Sequence, residues 1–224
     1  MKPIVIFGAG KIAEVILYYF KHHSERSVVA VTVDDHFVTE NSCFGLPLVS
    51  FESLEEKYSP DDYEMFVALG YQELNRFRAL KCEEAQQKGY SLVSYVDPRV
   101  GLPLDCEIGD NCFIMQGALI HPRVKLGNNV FVWGGATVGH HTCVGSNCWL
   151  TSGCTVAGSV TVGENCFFAV NSSIAHGVRV GDDCFIGANA LVNKCTGNME
   201  VFLHEPTNLY RLNSKQFLRL SNFS

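Results

Sequence analysis

From Ile108 to Val192 a large apolar residue returns at every sixth position, and the register never slips: Ile108, Ile114, Ile120, Leu126, Val132, Val138, Val144, Leu150, Val156, Val162, Phe168, Ile174, Val180, Ile186, Val192. Four residues after each comes a small or β-branched side chain, such as Cys112, Ala118, Val124, Cys148, Cys154 or Cys184. Val96 and Leu102, followed by Val100 and Cys106, carry the phase backward. A period of six suits neither a helix nor the simple alternation of a strand. It suits a short strand plus a corner, and three such sides close a triangular coil of 18 residues. The pattern predicts a stack of coils over residues 96–196, each hydrogen-bonded to the next at β spacing. The large residue points inward along each side and the small one fills the inside of a corner. Cys106, Cys112, Cys148, Cys154, Cys166 and Cys184 occupy the small slot, which makes them core thiols.

Residues 1–95 follow a different rhythm. Ile4–Phe7 reads as a buried strand, followed by the turn Gly8-Ala9-Gly10-Lys11. Ile12, Val15, Ile16 and Tyr19 then share one helical face. Val28–Val33 is a second strand, ending in Asp34-Asp35, and Met65–Leu69 a third, ending at Gly70. Ser53-Leu54-Glu55-Glu56 reads as a capping box. Leu74, Phe77 and Leu80 mark a further helical face closed by Gly89, and Ser91–Val96 a last strand feeding the coil. Strand, glycine turn, helix, strand, acid is a small Rossmann-like parallel α/β unit. Its glycine turn lets backbone N–H groups approach a phosphate, and the acids at 34–35 can meet a ribose hydroxyl. Fewer than 100 residues is about half of a dinucleotide fold, so a mononucleotide-sized ligand fits better than a nicotinamide dinucleotide. The expected organisation is α/β + β: 1–95 nucleotide-binding, 96–196 a β-helix, 197–224 a C-terminal tail.

The 224 residues are 47% hydrophobic and 18% charged, enough to build a core, and the net charge of −6 comes without any basic block. No nucleic-acid footprint is expected. The apolar run after Met1 is too short for a signal peptide or a membrane span, so a soluble, cytoplasmic protein is expected. The ten cysteines include no CxxC pair, which argues against disulfides and zinc.

The repeat over residues 96–196 resembles the hexapeptide-repeat acyltransferases, whose fold is a left-handed β-helix. A mononucleotide-type domain ahead of the coil resembles one branch of them, the sialic-acid O-acetyltransferase-like proteins and the N-acetyltransferases of nucleotide-linked amino sugars. The resemblance implies acetyl-CoA as co-substrate, a nucleotide-sugar acceptor held by the N-terminal domain, and a homotrimer with active sites between coils. Carried over, the sugar-nucleotide contacts are Gly8, Gly10 and Lys11 at the turn, Asp34 and Asp35 after the second strand, and Gly70 after the third. Lys11-Ile12 replaces the glycine-histidine that often follows this turn. The acyl-CoA contacts carry over to Gly158, Val170 and Ala188, with Trp149 where the family has a second histidine and Lys194 within reach of a CoA phosphate.

Acetyl transfer needs a base for the nucleophile and donors for the oxyanion. Gly139-His140-His141-Thr142 supplies the candidate: His140 stands two positions after inward Val138 and so points out near a corner. The family's base is a histidine at this phase, followed by an acid. Here His141 stands in the acid's place. His176 lies in the same column two coils on, its backbone roughly 10 Å away and beyond a direct hydrogen bond. His121 lies on another column. Gamma-type carbonic anhydrases share the coil and pair histidines two coils apart, with a third five residues on. Position 181 is glycine, so no metal is expected. The reading is N-acetylation of a nucleotide-linked amino sugar for a surface polysaccharide or glycan. Sugar O-acetylation by the same machinery and a non-catalytic nucleotide-sugar-binding scaffold are the alternatives.

Overall fold

The computed structural model describes residues 1–220, so the last four residues of the expected tail lie outside it. The N-terminal half is a sheet of five strands in the order β3-β4-β2-β1-β5, comprising β1 (Ile4–Phe7), β2 (Val28–Val33), β3 (Ser42–Cys43), β4 (Leu46–Ser50) and β5 (Glu64–Val67). All neighbours are parallel except the β3–β4 edge. Helices α1 (Lys11–His23) and α2 (Arg76–Gln87) connect it. Strand order reverses between β1 and β5, which in open α/β sheets opens a crevice at the strands' carboxyl ends.

From β6 (Tyr95–Val96) onward the chain winds into a left-handed coil of two-residue strands. Each strand pairs in parallel with the one 18 residues away, as Val138 pairs with Val156 and Val156 with Ile174. From Asn111 to Asn189 each corner carries one residue in the left-handed region. Asn111, Asn129, Asn147 and Asn165 form one such column, and Arg123, His141, Ser159 and Gly177 another. The inward residues form one continuous buried cluster. Several inward thiols also donate across a corner, Cys112 Sγ to the Gly127 carbonyl at 3.1 Å and Cys148 Sγ to that of Gly163 at 3.2 Å. Burial pushes the Cys112 thiol up to about 11 and the Cys154 thiol up to about 12, so both stay protonated.

The coil has three faces. The N-terminal half covers the one carrying Phe113, Phe131, Trp149 and Phe167, which point outward yet are buried. Tyr19 of α1 meets Phe113 at 5.7 Å between ring centroids, and Phe66 of β5 meets Phe131 at 5.8 Å. The asparagine column is the seam beside this face. Asn111 pairs with the backbone of Val67, accepting from its N–H at 2.8 Å and donating to its carbonyl at 3.2 Å. Arg78 of α2, fully buried, donates through Nε to Asn129 Oδ1 at 2.8 Å and through Nη1 to the Gly70 carbonyl at 2.8 Å and Asn75 Oδ1 at 3.0 Å. Its guanidinium lies over Phe131, 4.3 Å from the ring centroid. Burial lowers it to about 10, which leaves it charged at neutral pH.

Four expectations change. Leu80 is exposed and α2 instead buries Arg78, Lys81, Cys82 and Ala85, because the helix faces a polar seam. Ser53 makes no side-chain cap, and only a 3-10 turn follows at Leu54–Glu56. Of Ser91–Val96 only Tyr95–Val96 is a strand, with a bridge from Leu92 to Met65. The coil passes residue 196: Val201–Phe202 pairs with Phe185–Ile186 at an offset of 16 rather than 18 residues, which ends the six-residue reading. Beyond it, α3 (Ser214–Leu220) is exposed throughout. No helix among the described residues is long and apolar enough to cross a membrane.

Arg78→Met keeps the side-chain bulk but strands the acceptors on Asn129, Asn75 and Gly70. It is expected to cost about 3 kcal/mol or more, read as a lower urea midpoint. Arg78→Lys, which cannot reproduce the planar fork, should recover only part of this.

Candidate active site

The turn after β1 brings several predicted residues to the carboxyl edge of the sheet. Gly8 has φ +123°, and a Cβ there would stand 2.8 Å from the Ala68 carbonyl oxygen, so only glycine fits. Gly10 precedes α1 as its N-cap with no side-chain cap, and the first N–H groups of a helix have no partner within the helix. Lys11 is exposed beside it. Asp34 is committed elsewhere: its Oδ1 accepts from Lys81 Nζ at 2.6 Å, and Lys81 also donates to Glu84 Oε2 at 2.7 Å. Burial opposes the Lys81 charge, but the two carboxylates outweigh it and raise the ammonium. The Asp35 N–H donates to Glu52 Oε2 at 2.8 Å. Gly70 gives its carbonyl to Arg78. The edge therefore combines a glycine turn with hydrogen-bonded carboxylates at Asp34, Glu52 and Glu84 and a buried lysine.

The second cluster sits on a coil corner. His140 and His141 are exposed, and their Nδ1 atoms lie 3.1 Å apart. His141 holds the left-handed corner position at φ +60°. Its Nε2 lies 3.4 Å from Arg123 Nη1, one coil earlier in the same column. Arg123 in turn lies 3.8 Å from Asp105 Oδ2 through its Nε, so His140, His141, Arg123 and Asp105 form one chain of contacts along the corner. The His140 ring lies over Gly158, where a Cβ would stand 2.6 Å from its Nε2. The absent side chain at 158 is what gives the ring room.

His176 is nearer than backbone spacing implied. No direct hydrogen bond joins the pair, but the rings lean together over Gly158 and their centroids are 6.0 Å apart. Val170 and Ala188 are exposed on the next corner, across the face formed by Thr137–Val138, Thr155–Val156, Ser173–Ile174 and Leu191–Val192. Trp149 is a correction. It is 2% exposed on the covered face, stacked on Phe131 at 5.0 Å and near Arg78, and has no surface left for a CoA arm. A sequence signal marked it: Tyr95, Phe113, Phe131, Trp149, Phe167 and Phe185 recur every 18 residues, a stripe of outward aromatics that only a docked body explains. Among the described residues no group of three His, Cys, Asp or Glu side chains could hold a metal.

Two family models match the coil, the bacterial transferase hexapeptide (six repeats) over residues 105–140 and the hexapeptide repeat of succinyl-transferase over residues 159–194. A search of curated proteins gives no match. Among solved structures, PerB from Caulobacter crescentus, in complex with CoA and GDP-perosamine, is 25% identical with a TM-score of 0.81, covering 91% of this chain and 95% of that one. The acetyltransferase domain of PglB from Neisseria gonorrhoeae is 22% identical with a TM-score of 0.81, over 92% of this chain and 98% of that one. The same domain in complex with acetyl coenzyme A gives 21% and 0.80, over 92% and 97%. Repeat and architecture agree, and together they support a hexapeptide-repeat acyltransferase.

Proposed function

We propose that this protein transfers an acetyl group from acetyl-CoA to the amino group of a nucleotide-linked sugar, with His140 as the base. The observation that carries the reading is the His140–His141 pair over Gly158, on a fold shared end to end with PerB, which was solved with CoA and GDP-perosamine. The N-terminal edge at Gly8, Gly10 and Lys11 takes the nucleotide phosphates, with Asp34, Asp35 and Gly70 lining the crevice. Acetyl-CoA lies along the face between the His140 corner and the Val170–Ala188 corner. The free His140 nitrogen, Nε2, receives the amine proton, while His141 fixes the ring through Nδ1. Backbone N–H groups of adjacent coils are the available oxyanion donors.

We propose a homotrimer. The corner bearing His140 is the one opposite the covered face of the same coil, so a sugar held by a chain's own N-terminal half stands away from that chain's His140. A neighbouring copy brings the two together. All ten cysteines are unpaired, which suits the reducing cytoplasm as the place of work. Surface-polysaccharide or glycan synthesis is the pathway class that consumes such a product.

His140→Asn is expected to lower turnover by about 10²-fold or more with acetyl-CoA affinity little changed, and His141→Asn should cost less. With an amine acceptor the residual rate of the His140 variant still rises with pH as ammonium deprotonates. Released CoA, followed by a thiol assay over a pH series, checks both. A His141 variant more damaged than the His140 variant would overturn the assignment.

Gly158→Ala places a methyl where the His140 ring lies. Turnover is expected to fall about 10-fold or more, at unchanged thermal stability, because the ring can swing into solvent while the backbone stays. Light scattering on the same preparations should give three times the chain mass. A monomer at assay concentration would remove the shared-site arrangement.

A further inference from the structure

We infer that His176 is a second catalytic residue, the acid that protonates the departing CoA sulfur while His140 takes the proton from the acceptor amine; this rests on the acetyltransferase reading above. Three observations place it. His140, Gly158 and His176 occupy one corner position in three successive coils, locked in register by the hydrogen bonds from Ser159 N to the His140 carbonyl (2.8 Å) and from Gly177 N to the Gly158 carbonyl (3.1 Å). The middle position has no side chain, and the two rings lean over it to a centroid separation of 6.0 Å with planes inclined by 51°. Both rings are exposed, and His176 has no hydrogen bond or ion pair among the described residues, so both its nitrogens are free for a ligand. His140 differs: His141 occupies its Nδ1, and its Nε2 lies over Gly158, on the side where His176 stands.

With centroids 6.0 Å apart the two rings border one exposed opening at the corner, and a thioester lying across both would turn its entering nitrogen toward His140 and its sulfur toward His176. As the amine nitrogen bonds to that carbon, its proton passes to His140 Nε2, and the carbonyl electrons move to oxygen. The intermediate collapses, the C–S bond breaks, and its electron pair leaves with sulfur. Protonated His176 supplies a proton to that sulfur, releasing CoA as the thiol. The amine has lost one proton and the sulfur has gained one. The proton on His140 then crosses the opening, through solvent, to recharge His176, and no other reactant is needed. An imidazole suits both tasks because it changes charge near neutral pH. The groups facing His176 by register are His140 and Lys194 along its own column and His141 and Cys195 along the adjoining one. None is a carboxylate, so no fixed negative charge competes with the leaving sulfur for the proton.

The division of labour has a signature in kcat against pH. A base must be unprotonated, so activity climbs with pH through the base's titration. An acid must be protonated, so activity drops at higher pH through the acid's titration. The test measures CoA release at saturating acetyl-CoA with a panel of GDP-, UDP- and dTDP-linked amino sugars, for wild type, His176→Asn and His176→Gln. Expected is a bell for wild type. Both His176 variants should fall about 10²-fold in kcat at neutral pH, keep KM for acetyl-CoA, and lose the alkaline limb. A variant that keeps the alkaline limb, or wild-type kcat, overturns the proposal alone. A wild type silent on the whole panel overturns the acetyltransferase reading and this inference with it. Imidazole NMR with CoA as the probe gives a readout independent of the acceptor. The His176 ring resonance should move on CoA addition, and an unmoved resonance also overturns the assignment.

Discussion

Everything in this chain follows from one constraint, that each coil must hydrogen-bond in register to the coil before it. A six-residue side gives no freedom to drift, because one slipped residue would turn an inward valine outward and an outward lysine inward. Register makes columns, and columns give the molecule its chemistry. Glu107 and Lys125 stand one coil apart and pair at 2.7 Å on one face. Aromatics stack up a second face, and histidines recur on a corner. A linear sequence thereby becomes a set of vertical stripes, each with its own character.

The stripes explain what could and could not be read beforehand. The inward pattern needs only one chain and one period, so the coil was legible down to single residues. The outward pattern has a period of 18, three times longer, and Trp149 taken alone looked like a ligand contact. Set among Phe113, Phe131 and Phe167 it is a docking residue. Helix α2 misled for the opposite reason. Its buried side includes Arg78 and Lys81 beside Cys82 and Ala85, and a hydrophobic pattern cannot report burial offset by hydrogen bonds. The final coil is two residues short, so its strand at Val201–Phe202 falls out of phase. For the histidines, sequence spacing located the backbones, whereas the side chains lean, and only the glycine between them shows how far.

The two ends of the candidate machinery differ in electrostatic style. At the N-terminal edge, charges are fixed before any ligand arrives: Lys81 is shared between Asp34 and Glu84, and Glu52 accepts from Ser50 and from the backbone of Asp35. Such preorganisation suits recognition, since little remains to reorient. At the corner, imidazoles face one another and the Arg123 guanidinium, which itself pairs with Asp105 at 3.8 Å. These exposed groups have fewer fixed partners than those at the N-terminal edge.

Arg78 gives the molecule a further property. Its guanidinium ties the α2 side of the sheet to the coil through buried asparagines, and Asn111 joins the same column to the edge strand β5. A seam of that kind works as a weld, and the sheet cannot rock on the coil without leaving several polar groups dry and alone. The glycine turn after β1 and the coil therefore move as one body. Rigidity of that kind means that any motion of the sheet is a motion of the whole chain.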